Sequence, residues 1–232
     1  MSRKGGKRPT LRPIGGNVGR LGGERLAVFA YGSLVSRASI AETLGREAPA
    51  LIPARLAGWR RRWSTYRVND AHEKVFERVD GKPFEHVVGL NIERRPGVPE
   101  SEWPNGALIE LTEEELGRLD QREVRYDRVE VTEGVRATGR PGDAGAGAEG
   151  AVVGGAFDRV YAFTAKPAHF ATETPPRAII IASYVRACEA AFDELGPGAW
   201  RLFQATTGEL PAPVVEARLV ADSILPGNPR AW

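Results

Sequence analysis

The chain has 232 residues, 42% of them hydrophobic, with a formal net charge of +2 and one cysteine. This length is sufficient for a full hydrophobic core, and we expect one ordered domain. A single cysteine, Cys188, excludes an internal disulfide and a CxxC site, and the three histidines lack metal-ligand spacing, so we predict no metal and no cofactor. No run is apolar enough to span a bilayer, and no secretory h-region begins the chain, so we expect a cytoplasmic protein without a membrane partner.

Three segments have the composition of irregular chain. Residues 1–24 are rich in glycine, lysine and arginine without apolar periodicity, which predicts a disordered basic tail. Such a tail can contact nucleic acid, but it has no interleaved aromatic residues and no associated motif, so no nucleic-acid partner is expected. Residues 138–155 are predicted to be a flexible Gly/Ala-rich insert within a domain spanning 25–210. The proline-punctuated residues 211–232 are predicted to be an irregular C-terminal extension.

The remaining chain is divided by its apolar patterns into strands and helices. Strands are predicted at Leu26–Ala30, Ala54–Tyr66, Val87–Ile92, Ala107–Leu111, Tyr126–Val131 and Phe157–Phe163. Helices are predicted at Ser36–Leu44, Glu113–Arg122 and Ala178–Leu195, with a further short helix near Trp200–Phe203. Strands dominate and the helices are short or late, which indicates the α+β class.

The helix at 113–122 has the best-defined beginning and is followed by a carboxylate. Thr112 and Glu115 form a capping box, and Leu116 begins the apolar stripe that packs a short helix on a core. From Tyr126 the pattern changes to a period of two residues, which predicts a strand. Glu123 therefore lies at a helix-to-strand junction, where side chains often point into clefts.

A glycine-containing turn, Tyr31–Leu34, follows the first strand. Backbone N–H groups of such a turn can hold a carboxylate or phosphate without a charged side chain. The alternative is a plain tight turn in which Gly32 supplies a permissive backbone. The turn is shorter than a Walker A loop and is not GxGxxG, and the chain contains no nucleotide-binding fingerprint.

Two segments together, Phe29–Leu34 and Leu119–Tyr126, resemble the two signatures of the gamma-glutamylcyclotransferase-like family. In addition, Leu56–Arg60 resembles the family's second-strand segment, and Val88–Leu90 with Gly106–Leu108 resembles its next strands. The resemblance covers about residues 26 to 195. It implies a small mixed β-barrel flanked by helices, with a cavity at the barrel mouth.

The resemblance also implies an activity. In that family the Tyr-Gly-Ser turn binds the amino-acid end of a γ-glutamyl group, and a glutamate matching Glu123 acts as general acid/base. The implied enzyme is a gamma-glutamyl cyclotransferase, in which the α-amine of a small-molecule γ-glutamyl compound attacks its own γ-carbonyl to release 5-oxoproline and a free amine. The predicted catalytic residue is Glu123, and the predicted substrate-binding residues are Tyr31, Gly32, Ser33, Leu34 and Tyr126.

The resemblance leaves the substrate open. Residues 35–37 differ from the tryptophan and proline that follow the turn in the branch acting on glutathione. The spacer Val124–Arg125 is shorter than is usual in the branch acting on γ-glutamyl amines. Substrate choice is a possible role for Arg60, Arg61, Arg62 and Arg67, although on an alternating strand such charges are more often outward-facing and solvated. The alternative function is a non-catalytic ligand-binding or interaction module on the same fold.

Overall fold

The computed structural model describes residues 23–70, 74–138, 151–152 and 156–222. The strands are β1 (Leu26–Ala30), β2 (Ile52–Leu56), β3 (Trp59–Val68), β4 (Lys74–Arg78), β5 (His86–Arg94), β6 (Asn105–Leu111), β7 (Tyr126–Glu130), β8 (Val135–Ala137), β9 (Ala151–Val152), β10 (Arg159–Ala165), β11 (Ala178–Ile181), β12 (Val214–Val215) and β13 (Ala217–Asp222). The helices are α1 (Arg37–Leu44), α2 (Glu113–Arg122), α3 (Ala182–Leu195) and α4 (Ala199–Ala205). The predicted α+β class is confirmed. No helix in the described ranges is both long and apolar enough to cross a membrane.

The strands pair into three sheets. The largest has the order β7-β10-β1-β6-β2-β8-β9, in which β1 and β10 are parallel and the other pairs are antiparallel. The second has the order β12-β11-β5-β3, and β13 pairs with β4. All five residues of β1 are buried, as a continuous apolar run with neighbours on both sides requires. The turn that follows β1 therefore begins inside the molecule.

The two larger sheets enclose one core and are joined by side chains. The Asn91 side-chain oxygen on β5 accepts a hydrogen bond from the Ala165 amide on β10 at 2.8 Å. Nearby, the Thr164 hydroxyl donates to the Ile92 carbonyl at 3.0 Å. These bonds connect strands of different sheets, and buried residues of both sheets pack in the same cluster. The backbone hydrogen bonds among the described strands form three separate sheets. The closed barrel therefore remains a prediction.

The two helices nearest the site begin as their caps predict. α1 starts at Arg37, with the Ser36 hydroxyl accepting from the Ser39 amide at 3.3 Å. In α2 the predicted capping box is present: Thr112 Oγ1 accepts from the Glu115 amide, and the Glu115 carboxylate accepts from the Thr112 amide. The short helix predicted near Trp200 is α4.

Three predictions differ from the structure. The predicted strand 54–66 is two strands, since Ala57 and Gly58, the latter at φ +78°, turn the chain between β2 and β3. The predicted helix Ala178–Leu195 begins only at Ala182, because Ala178–Ile181 form a buried strand next to β5, and a run of three isoleucines favours a strand. Residues 211–222, predicted to be irregular, contain β12 and β13.

The predicted basic tail and insert fall mostly on residues that the structure does not describe. Residues 1–22, 139–150, 153–155 and 223–232 are outside the described residues. Within the insert predicted at 138–155, Ala151–Val152 form β9 and pair with β8. The rest of that insert, its predicted flexibility and the basic tail therefore stay predictions.

Arg61 on β3 is fully buried and joins three parts of the fold. Its guanidinium donates six hydrogen bonds of 2.7 to 3.2 Å, to the carbonyl oxygens of Tyr31, Asn105 and Phe203, the Asn105 side-chain oxygen, and the hydroxyls of Thr206 and Thr207. It also stacks over the Phe203 ring at 3.8 Å. Burial lowers the pKa of Arg61 to about 9, which leaves it charged at neutral pH. An outward, solvated orientation is therefore wrong for this arginine.

We predict that Arg61→Lys lowers the free energy of unfolding by about 3 kcal/mol, because an ammonium cannot reach acceptors spread over three elements and leaves buried carbonyls unpaired. Urea unfolding measures the change. The matched control is Arg62→Lys on the same strand, whose exposed side chain lies 3.8 Å from Glu93 and should matter by less than about 0.5 kcal/mol. Equal losses in the two variants would contradict the role of Arg61.

Candidate active site

Glu123 is held on both sides by backbone hydrogen bonds. Its amide donates to the Leu119 carbonyl at 2.8 Å, which ends α2, and its carbonyl accepts from the Tyr126 amide at 2.8 Å, which begins β7. The capping box fixes the other end of the same helix. The Glu123 side chain is 21% exposed. Its carboxylate therefore sits at a defined place on the boundary between the core and solvent.

The neighbouring Arg122 orients this carboxylate. Its Nε lies 3.0 Å from Glu123 Oε1, and its side chain is almost fully buried. The other end of the guanidinium donates to the Ser39 carbonyl at 3.1 Å and to the Thr43 hydroxyl at 2.6 Å, both on α1. Arg122 thus ties the carboxylate to a second helix.

The glycine turn is short and tightly packed. Val35 donates to the Gly32 carbonyl at 3.0 Å, which closes a single 3₁₀ turn over Ser33–Val35. Gly32 has φ −145°, so it does not use the left-handed freedom of glycine. A Cβ at this position would instead lie 3.2 Å from Leu90 Cδ1 and 3.4 Å from the Tyr184 hydroxyl oxygen. The close approach of these side chains is the reason for glycine here.

Two adjoining cavities lie between this turn and Glu123. One, of about 50 Å³, is lined by Tyr31, Gly32 and Leu34, and we call it the turn chamber. The other, of about 90 Å³, is lined by Arg67, Arg122 and Arg125, and we call it the arginine chamber. The residues that line both are Ser33, Glu123, Tyr126 and Tyr184. Glu123 therefore faces both chambers.

Three tyrosines form the walls. The Tyr31 hydroxyl donates to the Phe163 carbonyl at 2.6 Å, and the Tyr126 hydroxyl donates to the Leu90 carbonyl at 2.8 Å. Burial raises the pKa of Tyr31 and of Tyr184 well above the ordinary value of 10.0, and the nearby Glu123 charge adds to the rise. These two phenols stay protonated at neutral pH, so they shape the site and are unsuited to act as bases.

All six residues predicted for the site lie around the two chambers: Tyr31, Gly32, Ser33, Leu34, Glu123 and Tyr126. Three further residues of the site were not predicted. Tyr184 lies within the helix predicted at Ala178–Leu195, and its hydroxyl is the feature of the sequence that could have pointed to the site. Arg122 was predicted only as the last residue of a helix, and Arg125 only as part of the spacer between Glu123 and Tyr126. Within the described ranges, no group of three His, Cys, Asp or Glu side chains is arranged to hold a metal ion.

The positive charge of Arg125 also affects a histidine outside the arginine chamber. We predict that its effect on the pKa of His169 can be measured. Burial, followed by the positive charge of Arg125, lowers the pKa of His169 below the ordinary value of 6.5. Arg125→Gln removes the second cause, so the pKa of His169 should rise towards that value. An NMR titration of the imidazole protons measures it, with Arg60→Gln as the control that leaves it unchanged. An unchanged pKa of His169 in Arg125→Gln would contradict this effect of the Arg125 charge.

Comparisons with known proteins give a likeness in structure only. No family model and no curated protein matches the chain. A solved structure named gamma-glutamyl cyclotransferase is 16% identical, covering 83% of this chain and 95% of its own, with a TM-score of 0.48. A gamma-glutamyl cyclotransferase specific to glutathione from yeast is 14% identical, covering 79% and 96%, with a TM-score of 0.46. YkqA from Bacillus subtilis is 17% identical, covering 81% and 56%, also with a TM-score of 0.46. Likeness at this level concerns the course of the backbone and carries no information on chemistry.

Proposed function

We propose that the chain is a gamma-glutamyl cyclotransferase, which converts a γ-glutamyl compound into 5-oxoproline and a free amine. One observation carries the proposal: Glu123 and the Tyr31–Leu34 turn, nearly 90 residues apart in the sequence, line the same turn chamber. A proton-transferring group thus lies beside backbone groups suited to hold an amino-acid end. Both are also the parts on which the family resemblance depends.

The reaction requires only positioning and two proton transfers. The α-amine of the substrate attacks its own γ-carbonyl, which forms the ring C–N bond, and the original amide C–N bond then breaks. Glu123 takes a proton from the attacking nitrogen and returns one to the leaving amine, so the carboxylate ends the cycle as it began. Because the nucleophile and the carbonyl belong to one molecule, holding the substrate folded supplies much of the acceleration.

The geometry supports one orientation of the substrate. In the 3₁₀ turn the first hydrogen bond is donated by Val35, so the amides of Gly32, Ser33 and Leu34 precede the bonded part of the turn. These residues line the turn chamber, and amides of such a turn suit the α-carboxylate of the γ-glutamyl group. The γ-carbonyl then lies near Glu123, at the boundary between the chambers. Tyr184 and Tyr126 close the sides and limit the access of water.

A non-catalytic binding module is the competing function. Such a module needs the chambers but has no use for a carboxylate held by an ion pair and two backbone hydrogen bonds. The two functions differ in one assay, since only the enzyme releases 5-oxoproline from a γ-glutamyl compound. Binding of such compounds without release would favour the module.

We predict that Glu123→Gln lowers kcat for 5-oxoproline release by about 10²- to 10⁴-fold, because the amide has the shape of the carboxylate but cannot carry the proton. The measurement is 5-oxoproline formed from a panel of γ-glutamyl amino acids, peptides and amines. Glu113→Gln is the control, since Glu113 is exposed in the first turn of the same helix and its variant should keep parental activity. A Glu123→Gln protein as active as the parent would show that another group transfers the proton.

A second prediction concerns the size of the turn chamber. In Gly32→Ala the added methyl group meets Leu90 and the Tyr184 hydroxyl, so we expect kcat/KM to fall at least about tenfold while the fold is kept. Steady-state kinetics and thermal unfolding separate the two effects. The matched control is Gly117→Ala in α2, where a Cβ meets no atom within 4 Å. This substitution should leave activity unchanged and stabilise the helix by about 0.5–1 kcal/mol. Parental kinetics in Gly32→Ala would place the substrate elsewhere.

A further inference from the structure

We propose that Lys166 is a positioning residue for the Glu123 carboxylate, which it holds in place through the backbone of the two residues that follow Glu123. The inference rests on the proposed function and adds to it a residue from a distant part of the chain. Lys166 lies directly after β10, at the end of the ladder that pairs β10 with β7. Its two nitrogen atoms bind the backbone where the chain passes from α2 into β7.

The turn from Glu123 to Tyr126 is held partly from outside. Its closing hydrogen bond is donated by the Tyr126 amide to the Glu123 carbonyl, at 2.8 Å. The two central residues, Val124 and Arg125, belong neither to α2 nor to β7, so their carbonyls are bonded outside the turn. If water were the acceptor's only partner at these two positions, the turn would open more readily, and the carboxylate on its first residue would move with it.

Lys166 donates to both of these carbonyls. Its backbone amide donates to the Arg125 carbonyl at 2.9 Å, which extends the ladder of β7 and β10 by one residue. Its Nζ reaches one residue further and donates to the Val124 carbonyl at 2.8 Å. All three carbonyls from Glu123 to Arg125 thus accept a hydrogen bond, and Lys166 supplies two of the three.

The backbone of Lys166 is itself well fixed. Pro167 follows it, and a residue before proline is restricted to extended conformations, as the φ of −61° and ψ of 149° at Lys166 show. Pro167 begins a single 3₁₀ turn, after which Phe170 forms an antiparallel bridge to Thr65 on β3. The segment that carries Lys166 is therefore attached to β10 at one end and to β3 at the other.

This role differs from that of a catalytic residue and from that of an ordinary surface lysine. Lys166 lines neither chamber, so we assign its effect to the backbone that carries Glu123. A lysine whose ammonium is merely solvated would change neither the turn nor the reaction when it is replaced. The proposed cyclisation depends on a carboxylate within hydrogen-bond reach of the reacting nitrogen, so a small displacement of Glu123 lowers the rate.

Lys166→Met tests the inference, because methionine keeps an apolar stem of similar length and removes the donor. The first measurement is the hydrogen exchange of the Glu123 and Tyr126 amides, followed by NMR. Both amides should exchange about fivefold faster than in the parent, because their hydrogen bonds lie on either side of the loosened turn. The second is the kinetics of 5-oxoproline release. We expect kcat to fall about tenfold and KM to change by less than about twofold, because the glycine turn is untouched.

Two further variants serve as controls. Lys166→Arg keeps a cationic donor, so it should restore the exchange rates and most of kcat. Lys82→Met is the matched control, since Lys82 lies between β4 and β5, its side chain is 73% exposed, and its Nζ is 4.0 Å from Asp80. This variant should equal the parent in both measurements.

The two measurements separate the inference from the proposed function. Parental exchange of both amides in Lys166→Met would overturn the inference, whether or not the protein releases 5-oxoproline. Faster exchange with a parental kcat would also overturn it, because the hydrogen bond would then hold the turn without affecting the reaction. A parent protein that releases no 5-oxoproline would overturn the proposed function, whereas the exchange rates would still decide whether Lys166 fixes the backbone at Glu123.

Discussion

The rest of the structure depends on one buried charge. The Arg61 guanidinium has no contact with bulk water, and such a group is tolerated only when its donors are satisfied. Its acceptors lie at the end of β1, at the start of β6 and at the end of α4, so these three places must stay at fixed distances from each other. One of the acceptors is the carbonyl of Tyr31, the first residue of the glycine turn. The position of the proposed substrate-binding turn therefore depends on Arg61, which lines neither chamber.

The proposed catalytic carboxylate is held independently of this buried charge. Its restraints come from the end of α2, from the start of β7 and, through Arg122, from α1. Two separate sets of contacts thus converge on one pair of chambers, one set placing the turn and the other placing Glu123. An enzyme that relies on positioning rather than on a strong reagent needs such rigid support for each part.

The features that were predicted correctly from the sequence depend on local interactions. The capping box of α2 acts over three residues, and the turn after β1 acts over four, so their positions are visible in the sequence itself. The role of Arg61 was not predicted, because its acceptors reach as far as Thr207, 146 residues away, and a bulge between Trp63 and Thr65 interrupts the alternation of β3. The strand β11 was missed because its apolar residues fit the stripe of the helix that follows. Its pairing with β5 decides between a strand and the beginning of that helix.

The β8–β9 edge of the large sheet is suited to the insertion of a tag. β8 and β9 are antiparallel neighbours at one edge, whereas β7, which begins with Tyr126 of the site, forms the opposite edge. The residues that connect β8 to β9 thus join two chain ends that the ladder already holds together. Lengthening such a connection costs little, about 0.6 kcal/mol for each doubling of its length. A fluorescent protein or affinity tag inserted between these two strands should therefore report on the protein with the chambers left intact.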